Sequence, residues 1–233
     1  RPANLRESER QIIAANLDQR AIVSSVVSPP LKTGLIDRVI IAAQLGRLQP
    51  IIIINKIDLG EDELLADVLR TYGSLGFPIV PVSALSGSGL QELKAMLKDH
   101  RTIFAGHSGV GKSTLLNALI PGLMQATSEV SSHSGRGKHR TTTIELFELP
   151  GIGFAVDSPG LKVMGLWELE RESVSEYYPD FHVHASGCRF QPCSHGLASS
   201  TQLGGCVLAA AAGIRPGRGA ARDEMAREVQ RIG

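Results

Sequence analysis

The chain is poor in aromatic residues, in cysteine and in net charge, and each shortage removes a class of function. Aromatics make up 4% of the 233 residues, which excludes a chain-wide platform for stacking bases. Lys and Arg number 24 against 23 Asp and Glu, so net charge does not drive nucleic-acid binding. The apolar run Ile51 to Ile54 is far too short to span a bilayer. Three cysteines are an odd count for a disulfide scaffold, and all lie between Cys188 and Cys206, which favours a metal site in a reducing compartment. No secretory signal opens the chain. It starts at Arg1 rather than Met, so a segment upstream is expected.

What is present is an ordinary globular composition, 42% hydrophobic and 20% charged, which excludes bulk disorder. Residues 1–17 are polar and read as a linker or the tail of an upstream domain. From there strands and helices alternate. Strands are expected at Ala21 to Val27, Pro50 to Asn55, Pro78 to Ser83 and Thr102 to Ala105. Helices are expected at Ile36 to Leu45, Glu61 to Tyr72, Gly89 to Lys98 and from about Lys112 to Leu119, the second with Leu64, Leu65, Val68 and Leu69 on one face. This alternation calls for an α/β fold, a mostly parallel sheet with helices on both faces. Ile144 to Leu149 and Gly153 to Val156, joined by Leu149-Pro-Gly-Ile-Gly153, read as an antiparallel hairpin.

Gly106-His107-Ser108-Gly109-Val110-Gly111-Lys112-Ser113 fits G-x-x-x-x-G-K-[ST], and Thr114 follows. A strand precedes it and a helix follows, the context in which glycines turn backbone N–H groups onto phosphates. Lys112 would reach the β- and γ-phosphates and Ser113 would ligate Mg²⁺. Asn55-Lys56-Ile57-Asp58 and Ser83-Ala84 each close a strand, at the end where doubly wound sheets bind ligands. The Asp58 carboxylate can accept the N1–H and 2-amino protons of guanine, and adenine offers neither. Asn55 would tie the base loop to the phosphate loop, and the Lys56 stem would pack on the base. An ATP-binding P-loop protein is the weaker alternative, and Asp58 speaks against it.

Asp157-Ser-Pro-Gly160 follows a strand, which suits a carboxylate near Mg²⁺ and a glycine near the γ-phosphate. Upstream, Ser134 to Thr143 is basic and rich in hydroxyls, as an effector loop closing on Mg²⁺ would be. Its alternatives are a plain surface loop or an RNA contact. Leu161 stands where many GTPases carry a water-orienting glutamine, so intrinsic hydrolysis is expected to be slow. From Phe181 to Arg222 there is no acidic residue, yet there are four arginines, three cysteines and three of the seven histidines, which reads as a small basic module.

The motifs come in permuted order: the guanine motif and Ser83-Ala84 precede the phosphate loop and the switches. On these stretches, with Ala15-Asn-Leu-Asp18, Ser134-Gly-Arg-Gly137, His139 and the cysteine cluster, the chain resembles the circularly permuted small-subunit ribosome biogenesis GTPases, the RsgA (YjeQ) family. The resemblance implies GTP hydrolysis to GDP and phosphate, stimulated by the small ribosomal subunit in its late maturation. It implies GTP/GDP, Mg²⁺ and rRNA as partners, a cytoplasmic monomer without membrane contact, and an OB-fold domain upstream that this chain lacks. The domains implied are a linker at 1–14, a permuted GTPase domain at 15–175 and a zinc module at 176–233. Cys188, Cys193 and His195 match the family's first zinc ligands. Cys206 would be the fourth, although ten residues separate it from His195, more than the family has. Metal-free cysteines, or His182 and His184 as ligands, are the alternatives. Arg140 replaces the threonine that the family places after the histidine, so Thr141 is the candidate Mg²⁺-linked residue, with Thr142 behind it. His139 is a candidate for positioning water.

Overall fold

In the computed structural model, residues 16–60, 63–120, 145–157 and Tyr177 are described here. The elements are β1 (Gln19–Ser25), α1 (Thr33–Leu45), β2 (Gln49–Asn55), α2 (Glu63–Ser74), β3 (Ile79–Pro81), α3 (Leu90–Leu97), β4 (His100–Gly106), α4 (Lys112–Leu119), β5 (Glu145–Leu149) and β6 (Gly153–Asp157).

They form one six-stranded sheet in the order β3-β2-β1-β4-β6-β5. Every neighbouring pair is parallel except β5 and β6, which form the expected antiparallel hairpin with Leu149 opposite Gly153. The hydrophobic pattern explains the layering. Ile51, Ile52, Ile53 and Ile54 are all at most 1% exposed, because β2 lies inside the sheet with both faces covered. At roughly 1.5–3 kcal/mol for each such side chain, this strand is a main source of cohesion. Ile51 and Ile53 pack with Leu93 and Leu97 of α3 and with Leu115, Leu116 and Leu119 of α4. Ile52 and Ile54 pack on the other side with Ile36, Val39 and Ile40 of α1 and Val68 and Tyr72 of α2.

Helix α2 keeps the expected face except at Leu64. Leu65, Val68 and Tyr72 turn inward, while Leu64 is 39% exposed. These three fall at i, i+3 and i+7, one stripe of a helix, and the Tyr72 hydroxyl at its end donates to the buried Asp37 carboxylate of α1 at 2.7 Å. Boundaries shift slightly elsewhere. β1 begins at Gln19 and ends at Ser25, so Val26 and Val27 belong to the loop that follows.

Asp18 stitches together the end of the sheet opposite those loops. Its N–H donates to Arg101 O at 3.0 Å, its carbonyl accepts from Gln49 N at 3.0 Å and its carboxylate accepts from Arg101 N at 2.8 Å. The Asn16-Leu-Asp18 stretch therefore works in the scaffold, far from the motif loops.

Candidate functional site

The carboxyl ends of β1, β2, β3 and β4 converge on one edge of the sheet, and three of the loops leaving them carry the sequence motifs. Gly106 is the last residue of β4 and Lys112 the first of α4, so the glycine-rich segment joins a strand to a helix as expected. Two glycines are required by the geometry. A Cβ on Gly106 would stand 2.3 Å from the Val23 carbonyl oxygen of β1. Gly111 caps α4 with φ +93°, in the left-handed region, and a Cβ there would lie 2.5 Å from Asn55 Nδ2. His107, Ser108, Gly109 and Val110 complete the loop. Val110 is 2% exposed and anchors it in the core, while His107 and Ser108 face solvent.

Lys112 extends back along the loop, its Nζ donating to Gly106 O at 2.8 Å and His107 O at 3.2 Å. Its ammonium thus sits within the ring of backbone that would enclose phosphates. Ser113 is half-buried in the first turn of α4 and Thr114 is exposed beside it. Asp157 ends β6 in register with Phe104 of β4, which puts its backbone next to the strand that feeds the phosphate loop.

Asn55 joins the motifs. It is 2% exposed; its Nδ2 donates to Val110 O at 2.9 Å, and its Oδ1 accepts from Ala84 N at 3.1 Å. One amide therefore ties the base loop to the phosphate loop and to Ser83-Ala84. Ser83 is fully buried, and its Oγ accepts from Ser86 N at 3.0 Å, which shapes the turn around Ala84. Lys56 adopts a left-handed φ of 66°, and its Nζ donates to Gly109 O at 2.7 Å and to Ser28 O. The chain then enters a 3-10 turn, Ile57–Leu59, which leaves Asp58 exposed at the rim.

Asn55, Lys56, Asp58, Ser83, Ala84 and Gly106 to Thr114 are thereby assembled at one edge, although the base motifs precede the phosphate loop in the chain. The strand-end motifs and the phosphate-loop pattern thus meet in space in an order permuted along the chain. Membership is decided by the match of the RsgA GTPase family to residues 1–167. The chain belongs to the RsgA GTPase family. It is 45% identical over 186 residues to the small ribosomal subunit biogenesis GTPase RsgA 1 of Vibrio vulnificus, covering 78% of this chain and 53% of that one. It is 40% identical over 198 residues to RsgA of Bacteroides fragilis, covering 84% of this chain and 64% of that one. The chain thus spans little more than half to two thirds of the length of these curated relatives. Among solved structures, YjeQ from Thermotoga maritima superposes with a TM-score of 0.71 at 31% identity, covering 92% of this chain and 72% of that one. The structure of YloQ, described as a circularly permuted GTPase, superposes with a TM-score of 0.69 at 29% identity, covering 94% and 70%. The fold of this RsgA-family chain is that of a circularly permuted α/β GTPase.

His139, Thr141 and Gly160 lie outside the described residues, as do Leu161 and the cluster Cys188, Cys193, His195 and Cys206. Among the described residues no group of three or more His, Cys, Asp or Glu side chains is placed to hold a metal. No helix among them is long and apolar enough to cross a membrane. The loop leaving β1, which carries no motif, was not singled out by its sequence. It touches the site through the Val26 N–H and the Ser28 carbonyl, backbone groups that no residue-type pattern announces.

Proposed function

We propose that the chain hydrolyses GTP to GDP and phosphate and acts in late maturation of the small ribosomal subunit, which stimulates its turnover. The single observation that carries this reading is the Asn55 amide at the start of the base loop, bonded at once to Val110 of the phosphate loop and to Ala84 after β3. Such a bridge would join a phosphate cradle to a guanine-reading loop, and the relatives, named small ribosomal subunit biogenesis GTPases, supply the biological setting.

Lys112 and the backbone N–H groups of Gly109 to Ser113 would hold the phosphates, and Asp58 would select guanine. Ser113, Thr141 and Asp157 would supply the hard oxygen ligands that suit Mg²⁺. When bound, the ion neutralises charge on the β- and γ-phosphates. Gly160 would approach the γ-phosphate, and His139 would help to position water where Leu161 cannot.

Residues 15–175 are the GTPase domain in this reading, and 176–233 a zinc module. The soft and borderline donors Cys188, Cys193, His195 and Cys206 are a common structural zinc set. About one zinc per chain is expected, lost on Cys188→Ser; a folded, metal-free protein would overturn the assignment. The basic stretch around the cysteines suits rRNA, and the setting is a cytoplasmic monomer.

The deciding experiment is GTP turnover with and without small ribosomal subunits, with Lys112→Ala as the blank. Large stimulation supports the enzyme reading. Leu161 favours a second reading, a nucleotide-controlled RNA-binding switch in which hydrolysis is incidental. GTP-dependent subunit binding without stimulated turnover would select it.

A further inference from the structure

We propose that the loop Ser25–Leu31, which carries none of the nucleotide-binding motifs, is a further wall of the guanine-nucleotide site, and that Ser25 is a positioning residue setting how long the nucleotide stays bound. The proposal rests on the GTPase reading above and adds a residue to it.

Topology places the loop. β1 lies between β2 and β4, whose ends carry Asn55 and Gly106, so the chain leaving β1 must emerge between the base loop and the phosphate loop. Val26 N donates to Asn55 O at 3.1 Å, which pins the start of the loop to the base side. Ser25 is 1% exposed, and its hydroxyl donates to Pro29 O at 2.9 Å. That bond folds the loop back on itself four residues on.

The fold-back has two consequences. It brings the Ser28 carbonyl to Lys56 Nζ, and it sets the Pro29 ring against the phosphate loop, where Pro29 Cδ is 3.6 Å from the point a Cβ of Gly109 would occupy. Lys56 Nζ also donates to Gly109 O at 2.7 Å. Two of the three ammonium donors are therefore held between the β1 loop and the phosphate loop. The lysine stem that would cover the base is strung between fixed points. Without the Ser25 hydroxyl, Pro29 O loses its partner, Ser28 O is no longer held in place, and Lys56 keeps one firm anchor. The Val26–Asn55 bond survives, so the loop loosens without detaching. The effect on nucleotide dwell time is modest and must pass through Lys56.

The test measures dissociation of fluorescent GDP from the whole chain with Mg²⁺ present, in the parent, Ser25→Ala, Lys56→Ala and the double variant. Ser25→Ala is expected to speed release three- to tenfold. Ser25→Cys, similar in size and a weaker donor, should fall between parent and Ala and covers the case in which the Ala variant folds poorly. Added to Lys56→Ala, Ser25→Ala should change the rate less than 1.5-fold. A merely structural serine would give the same acceleration with or without Lys56, and that result overturns the proposal. So does a Ser25→Ala rate within 1.5-fold of the parent while the parent binds GDP normally. A parent chain that does not bind GDP would instead sink the GTPase reading and this inference with it.

Discussion

Replacing Asn55 with Ala is the most informative perturbation of the site. The side chain is 2% exposed and makes two hydrogen bonds to backbone groups of two other loops. Alanine supplies neither, and each orphaned polar group costs about 1–3 kcal/mol when water cannot replace the partner. The Val110 carbonyl belongs to a residue only 2% exposed, so it falls toward the upper part of that range. Ala84 is half-buried, so its N–H falls toward the lower part. The total is about 3–5 kcal/mol, shared between folding and nucleotide binding. If half appears in binding, GDP affinity falls about 12- to 60-fold, since 1.4 kcal/mol is tenfold. Asn55→Asp sharpens the test. It keeps an acceptor for Ala84 N but sets a carboxylate oxygen against Val110 O, so its affinity loss should match or exceed that of Ala. Titration of GDP at fixed Mg²⁺ gives the affinities, and urea unfolding followed by circular dichroism gives the stabilities. If both variants bind GDP within twofold of the parent and unfold at the same midpoint, the bridge does not organise the site and the reasoning fails.

Asp58→Asn should lower the preference for GTP over ATP by at least tenfold, read from paired titrations; an unchanged ratio would remove Asp58 from base recognition. Gly111→Ala should reduce GDP binding strongly, because the new methyl lies 2.5 Å from Asn55 Nδ2 at a φ of +93°; binding within twofold of the parent would show that the loop yields freely. Tyr72→Phe leaves the Asp37 carboxylate without its 2.7 Å donor, 35 residues away in sequence, and should cost about 1–3 kcal/mol in urea unfolding.

The parts of the fold that depend on residue type were legible in the sequence. The isoleucine run of β2 announces a strand buried on both faces, and Gly106 to Ser113 announces a phosphate loop because glycine is required wherever backbone must approach backbone. Asn55 is readable too, since a guanine motif needs an amide where two loops meet. What escapes is whatever depends on partners distant in the chain. The Tyr72–Asp37 bond joins two helices 35 residues apart, and no periodicity within α2 records that partner. Neighbour order in the sheet is equally silent, since hydrophobicity tells that β1 is interior but not that β2 and β4 flank it. The loop Ser25–Leu31 meets Asn55 and Lys56 through a backbone N–H and a backbone carbonyl, groups that carry no residue-type signature.

The sheet order also bears on how the chain reaches its fold during synthesis. β1, β2 and β3 with α1 and α2 lie within the first 81 residues and already pair with one another, so the half that would read the base can assemble as it leaves the ribosome. The other edge of β1 waits for β4, whose Thr102 meets Gln19 across 83 residues of chain. Until then a central strand has one side unpaired, open to mispairing with another nascent chain. A nucleotide bound to both loops would favour the docked arrangement of early and late halves, so guanine nucleotide in the cell is expected to raise the yield of correctly assembled protein as well as to serve its turnover.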